Sequence, residues 1–233
     1  MKIVKVRAFL YLVALLVFLS LFISCTTTLY IMPEYKGRII EAKKLAVIYS
    51  DIYIDNTKAV LDDLGKGDPQ EVYTDFFEFN FMKSLIENSN FAAIEYVYNY
   101  QKENFKTYTY DIGKKDVLVI NLPQEGKPVI TNTLKADFVL FIQNIYTSRI
   151  PATKGVWIAG TNGTSAYAGG SSSELQQKFE YVIWDNSMGK MVAYGKATSQ
   201  VSFLFQMTDN TWKKGLNNIV KIILKNTPFG DFS

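Results

Sequence analysis

The chain has no histidine and only one cysteine. Without histidine, Ser-His-Asp and Cys-His nucleophile systems are ruled out in their usual form, since both rely on imidazole to take and return a proton. Mixed histidine zinc sites go with them, and the lone Cys25 makes neither a thiolate cluster nor a disulfide. There is no G-x-x-x-x-G-K-[ST] phosphate loop, and no G-x-G-x-x-G after a strand-like run. Residues 160–170 are rich in glycine but lack the lysine and the following helix. An excess of charge is also missing. The net charge is +3, and Lys2, Lys5 and Arg7 supply all of it, so the chain beyond residue 24 is formally neutral. The whole-chain pI of 8.7 therefore misrepresents the body, which offers no basic face for nucleic acid.

What is present starts at the N-terminus. After Lys2, Lys5 and Arg7, residues 8–23 carry no charge, and Ser24 and Cys25 follow. A basic start, a short apolar run and a small residue make a secretory signal. The run is shorter than the ~20 residues of a spanning helix. The competing reading is an uncleaved signal anchor followed by an incidental cysteine. The placement of Cys25 resembles the lipobox of bacterial lipoproteins. The usual leucine three residues before the cysteine is replaced by Phe22, with Leu21 one position further back, as in the looser boxes of spirochaetes and some other groups. The resemblance implies a diacylglyceryl group on the Cys25 thiol, cleavage before it and acylation of the new amine. Several acyl chains at ~0.8 kcal/mol per buried CH₂ would anchor the protein without a spanning helix. Thr26, rather than Asp, after the cysteine resembles the sorting pattern for the outer membrane. The expected organisation is a signal peptide at 1–24, a lipidated tether at 25–44 and a globular periplasmic domain at 45–233.

The body is 48% hydrophobic and carries 16 Phe and 15 Tyr, enough to build a core without disulfides. Leu45-Ala46-Val47-Ile48-Tyr49 reads as a short strand and residues 51–67 as an acidic loop with one weak helical turn. Asp68, Pro69 and Glu71 make a helix start, with a cap, a proline at the first position and an acid that can bond back. That helix runs to about Glu87, with Val72, Phe76, Phe79 and Ile86 as its buried face, widened by Phe77, Phe81 and Leu85. Residues 91–100 alternate like a strand, 101–115 are polar and unassigned, and 117–122 form an apolar strand ended by Pro123. Residues 137–142 read as a central strand covered on both faces. Residues 178–199 form a hairpin about 185–190, with Gly189 suited to positive φ. Asp209 is placed as the cap of a last helix whose face is Trp212, Leu216, Ile219 and Ile223, with Lys221 and Lys225 near its C-terminal end. The fold class is α/β (α+β): a mixed β-sheet with two amphipathic helices packed on it, in a single domain.

Candidate chemistry is sparse. Asp51, Asp55, Asp62 and Asp63 fall in one loop and could bind Ca²⁺ or supply a glycosidase pair. The spacing matches no EF-hand, and a solvated acidic loop is the plainer account. Trp157, Trp184 and Trp212 could stack sugars, though Trp184 and Trp212 lie where a core is expected. No catalytic, cofactor-binding or metal-ligating residue is assigned. The Gly/Ser-rich segment 160–173 is either a surface loop joining two strands or a partner-binding hairpin, with Gly160, Thr161, Asn162, Gly163, Tyr167, Gly169 and Gly170 as the contact candidates. Asn162-Gly163-Thr164 also matches a glycosylation acceptor.

Four features together resemble small envelope lipoproteins with a fold like the TolB N-terminal domain. They are the lipobox, a helix after the first strand, the Ala136-Asp137-Phe138-Val139-Leu140 strand opening, and the Tyr181-Val182-Ile183-Trp184-Asp185 … Gly189-Lys190 hairpin before a last amphipathic helix. Activators of penicillin-binding proteins and the curli secretion lipoprotein are relatives of that kind. The resemblance spans roughly residues 45–225 and implies a non-enzymatic accessory module of a cell-envelope assembly, anchored in the outer membrane through Cys25 and bound to another envelope protein. Two alternatives are a structural subunit of a secretion or motility ring, with self-association, and a carboxylate-based cell-wall or carbohydrate-active enzyme.

Overall fold

The computed structural model describes residues 28–50, 52–55, 67–113, 116–130, 135–151, 156–159, 165–168, 173–203 and 207–230. The main sheet contains β1 (Thr28–Ile31), β2 (Lys44–Tyr49), β3 (Ile52–Ile54), β4 (Ala93–Tyr96), β7 (Phe138–Pro151), β10 (Ser173–Asp185) and β11 (Lys190–Phe203). Its order is β1-β11-β10-β7-β2-β4, with β3 also paired to β7. The β1, β11, β10 and β7 ladders are antiparallel, whereas β2 and β3 join β7, and β4 joins β2, in parallel. The sheet is therefore mixed, and β7 is the central strand where the two ladder types meet.

Helices α1 (Pro69–Glu87) and α2 (Asp209–Leu224) cover one face. Alternate strand residues point at them: Leu45 and Val47 from β2, Leu140 and Ile142 from β7, and Phe179, Tyr181 and Ile183 from β10. The in-between residues, among them Ala46, Ile48, Val139, Phe141, Val182 and Trp184, form a second core under the hairpin of β5 (Phe105–Asp111) and β6 (Val117–Pro123). Both faces being covered explains why β7 opens with a continuous apolar run. Strand β5 falls in the stretch left unassigned from sequence. Its buried side is made of half-buried Phe105, Tyr108 and Tyr110 rather than aliphatic residues.

The local signals explain most element ends. The Asp68 carboxylate accepts hydrogen bonds from the Gln70 and Glu71 backbone N–H groups at 2.9 and 3.2 Å, with Pro69 behind it. At the second helix the cap is Thr208, not Asp209: the Thr208 N–H donates to the Thr211 hydroxyl in a capping box, and Asp209 instead pairs with Lys213 at 3.2 Å. Gly189 has φ +63, and a Cβ there would lie 2.6 Å from the Gly126 backbone, so the hairpin turn requires glycine twice over. In β7, Asn144 at φ +50 forms a bulge opposite the register shift between Lys178 and Glu180, and its amide donates to Glu180 at 2.6 Å.

Four further expectations are corrected. Within the stretch read as a tether, Thr28–Ile31 is an edge strand on β11, and Pro33–Tyr35 is a short 3-10 turn with Tyr35 buried. Within the stretch read as a loop, Ile52–Ile54 is a strand, while the expected helical turn falls outside the described residues. The strand expected at 91–100 is confined to Ala93–Tyr96. The buried row of α1 is Tyr73, Phe77, Phe81 and Leu85, whereas Phe79 is 70% and Ile86 61% exposed. A row at i, i+4, i+8 and i+12 fits one helix face as well as the expected row does. The two cannot be told apart from sequence, because apolar residues run nearly all round this helix.

Candidate functional site

Cys25, Gly160, Thr161, Asn162, Gly163, Gly169 and Gly170 lie outside the described residues. Tyr167 sits by its backbone in β9 (Ser165–Ala168), which lies within the Gly/Ser-rich segment and pairs antiparallel with β8 (Val156–Ala159) just before it, between β7 and β10. Of the acidic loop, only Asp55 is described. Its carboxylate accepts a 2.8 Å hydrogen bond from the Tyr146 hydroxyl, while Asp51, Asp62 and Asp63 lie outside. Trp184 and Trp212 are fully buried and cannot stack a sugar. Among the described residues no three carboxylates or other ligands converge on a metal position, and no helix is long and apolar enough to cross a membrane.

The surface that does stand out is the outer side of α1. Phe79, Met82 and Ile86 recur at i, i+3 and i+7, which places them in one stripe along the helix. With Glu78 and Tyr96 they line an open groove of about 650 Å³. The groove lies beside β4, the last strand of the sheet, and no described strand pairs with its outer edge. Exposed Tyr98 continues the apolar surface past the end of β4. Contiguous exposed apolar area of this kind is uncommon on a protein that works alone.

Glu78 organises the strand side of the groove. Its carboxylate accepts a short hydrogen bond from the Tyr49 hydroxyl, and its backbone carbonyl accepts one from Tyr96 at 3.0 Å. The ring of Tyr49 meets those of Tyr96 and Tyr98 edge-on, with centroids 5.6 and 6.4 Å apart. Partial burial, and then the adjacent Glu78, push the Tyr98 phenol up to about 12. The same two causes raise Tyr49 and Tyr96 further still. These phenols therefore stay protonated near neutral pH and act as donors and packing surfaces, not bases.

Asp75 and Glu87 complete an acidic rim. The one cation on α1, Lys83, leans towards Glu87 at 3.8 Å, and no described lysine or arginine forms an ion pair with Asp75 or Glu78. The surplus of apolar residues on α1 was the available sequence signal for this surface. One buried face needs about half of the nine apolar residues Val72, Tyr73, Phe76, Phe77, Phe79, Phe81, Met82, Leu85 and Ile86.

Two polar features elsewhere are structural. Between the helices, the Ser84 hydroxyl and the Asn88 amide both donate to Asn217 Oδ1, at 2.8 and 3.0 Å, clasping α1 to α2. On the hairpin side, Lys196 bridges Asp116 and Glu180 at 2.9 and 3.0 Å and ties β6 to the main sheet.

No protein-family model matches this sequence, and no curated protein matches it. Among solved structures, the chain is similar to PelC dodecamers from Paraburkholderia phytofirmans. One, a point variant, shows 10% identity and a TM-score of 0.36, covering 87% of this chain and 96% of that one. Another shows 9% identity and a TM-score of 0.35, covering 85% and 97%. A neuraminyllactose-binding hemagglutinin homolog from Helicobacter pylori shows 9% identity and a TM-score of 0.37, covering 81% and 83%. The overlap is low, and neither assembly nor ligand carries over from those proteins to this chain.

Proposed function

We propose that this chain is a non-enzymatic lipoprotein of the bacterial cell envelope. In this reading acyl groups on Cys25 hold it in the outer membrane, and the domain faces the periplasm as an accessory module with a TolB-like arrangement. Its task is to bind another envelope protein. The observation that carries this reading is the α1 stripe of exposed Phe79 and Ile86 with half-buried Met82 between them, beside β4, the last described strand of the sheet. Such an apolar stripe on an outer helix face supplies area for a partner to bury at roughly 25 cal/mol per Å². The segment 160–173 is proposed as a second, weaker contact, so its deletion should leave the fold intact and reduce association.

The test is in-cell photocrosslinking from a reactive residue placed at position 86. The reading expects one discrete envelope partner, lost when Phe79 is replaced by Ser. Crosslinks that are absent, or unaffected by Phe79→Ser, would count against it. Anchoring is tested separately: labelled palmitate should enter the protein and should fail to enter a Cys25→Ala variant.

A further inference from the structure

We infer that the flank of β1 is a membrane-contact surface, on which Lys36, Arg38 and Lys225 meet the phosphates of anionic lipids and Ile39 enters between the headgroups. This rests on the lipid-anchor reading above and adds which face of the domain lies on the bilayer. Chain length, charge and exposure each point to this flank.

Strand β1 is paired with β11 from its first residue, with Thr28 opposite Lys196. Only Thr26 and Thr27 separate that residue from Cys25. Leu29 lines an open groove of about 530 Å³ beside β1, together with Lys36, Gly37 and Lys225. Cys25 is four residues before Leu29, a reach of ~14 Å at most. Acyl groups on Cys25 therefore keep this groove close to the headgroups, whereas a tether running to residue 44 would leave the domain free to turn.

Lys36, Arg38 and Lys225 are exposed, and none forms an ion pair with another described residue. Of the acids in the same segment, Glu34 is engaged by Lys190 at 3.1 Å, which leaves exposed Glu41 against three cations. Acyl chains combined with a basic patch are a recurrent route to stable membrane attachment. The far end of the sheet has the opposite sign. Strand β4 is five strands from β1, or ~24 Å, and the groove beside it is lined by Asp75, Glu78 and Glu87 with one lysine, Lys83. An anionic surface attracts the β1 end and repels the α1–β4 end, so the Phe79–Ile86 stripe stays clear of the bilayer and open to a protein.

Ile39 is 77% exposed, more than any other large apolar side chain among the described residues. It follows the turn at Gly37, which has φ +70, and Arg38 precedes it. The next residue, Ile40, packs against the main core and donates its N–H to the Pro228 carbonyl at 2.9 Å. The loop is thus held to the fold while Ile39 projects from it. An apolar tip beside cations suits the boundary between headgroups and acyl chains.

The experiment uses the full-length acylated protein in vesicles of phosphatidylcholine, with or without phosphatidylglycerol. Cys25 is the only cysteine and its thiol is taken by lipid, so an introduced cysteine is a unique site for a fluorescent probe. On vesicles containing phosphatidylglycerol, spin-labelled phospholipid should quench a probe at Ile39→Cys at least about fivefold more than one at Ile86→Cys. Joint replacement by Lys36→Glu, Arg38→Glu and Lys225→Glu should abolish that difference, and rising salt should reduce it. Circular dichroism confirms that the variants are folded. Equal quenching at the two positions, or quenching at position 39 that ignores both phosphatidylglycerol and the triple replacement, would overturn the inference. Photocrosslinks from position 39 to an envelope protein in cells, with no lipid quenching in vesicles, would assign this flank to a protein partner and overturn it as well. If palmitate enters at Cys25 while position 39 stays in water, the anchor reading stands and this inference alone fails. If palmitate does not enter, both fail.

Discussion

Tyr35 donates a 2.8 Å hydrogen bond to the Asp185 carboxylate from a position 150 residues away. Both groups are buried. The other Asp185 oxygen accepts from the Ser187 and Met188 backbone N–H groups and from the Ser187 hydroxyl, which shapes the β10–β11 turn. The bond thus fastens the segment after β1 to the tip of the main hairpin. Tyr35→Phe removes the donor and leaves a buried carboxylate oxygen short of a partner. It should cost about 1.5–3 kcal/mol in chemical denaturation, and no measurable loss would show that the segment after β1 is not held through this bond.

Gly215 and Gln177 make a second dependence across elements. A Cβ on Gly215 would collide with the Gln177 side-chain oxygen. That side chain cannot move aside, because it is fully buried and its amide donates to the Tyr73 hydroxyl at 3.3 Å. Gly215→Ala should therefore destabilise by about 1–3 kcal/mol despite the better helix propensity of alanine. In a Gln177→Ala background the same substitution should be neutral or stabilising. Equal costs in both backgrounds would contradict the steric account.

The two faces of α1 predict opposite phenotypes from chemically similar residues. Phe77 and Phe81 are fully buried, and replacing either with Ala should cost about 3–5 kcal/mol in urea unfolding. Phe79→Ser and Ile86→Ser should change stability by no more than about 0.5 kcal/mol and should act on association alone.

With one cysteine and no disulfide, this fold rests on its aromatic core, which makes it sensitive to alkali. Burial pushes the Tyr73 and Tyr110 phenols up to about 12, with Tyr98 at a similar level, against an ordinary value of 10.0. Tyr35, Tyr96 and Tyr181 are raised further, each chiefly by burial. The folded state keeps these protons where the unfolded chain gives them up. Their contribution to stability is complete below pH 10 and is lost as pH rises towards 12. Tyrosinate absorbance should show the buried phenols ionising together with loss of near-ultraviolet circular dichroism. Ionisation of every tyrosine near pH 10 with the fold intact would contradict this.

Much of the architecture was legible because several local signals agreed. The cap at Asp68, the alternation through Phe179, Tyr181 and Ile183 and the helical row Trp212–Leu216–Ile219–Ile223 each point to one element and one buried face. Strand β5 was not legible: its buried side is tyrosine and phenylalanine amid Lys106, Thr107 and Thr109, a pattern that also suits a loop. β1 was hidden because it is four residues long and takes its identity from β11. The outer face of α1 was misread for a different reason. Phe79 and Ile86 were read as core, and only the packing of Tyr73, Phe77, Phe81 and Leu85 against the sheet shows which face of α1 remains outside.

The most direct measurement of the central claim is photocrosslinking in living cells from position 86, compared with the same probe at position 188. The account predicts one envelope protein captured from position 86, lost with Phe79→Ser and absent from position 188. Identical capture from both positions, or none from position 86 in a folded protein, would contradict the assignment of the outer face of α1 as the surface through which this protein acts.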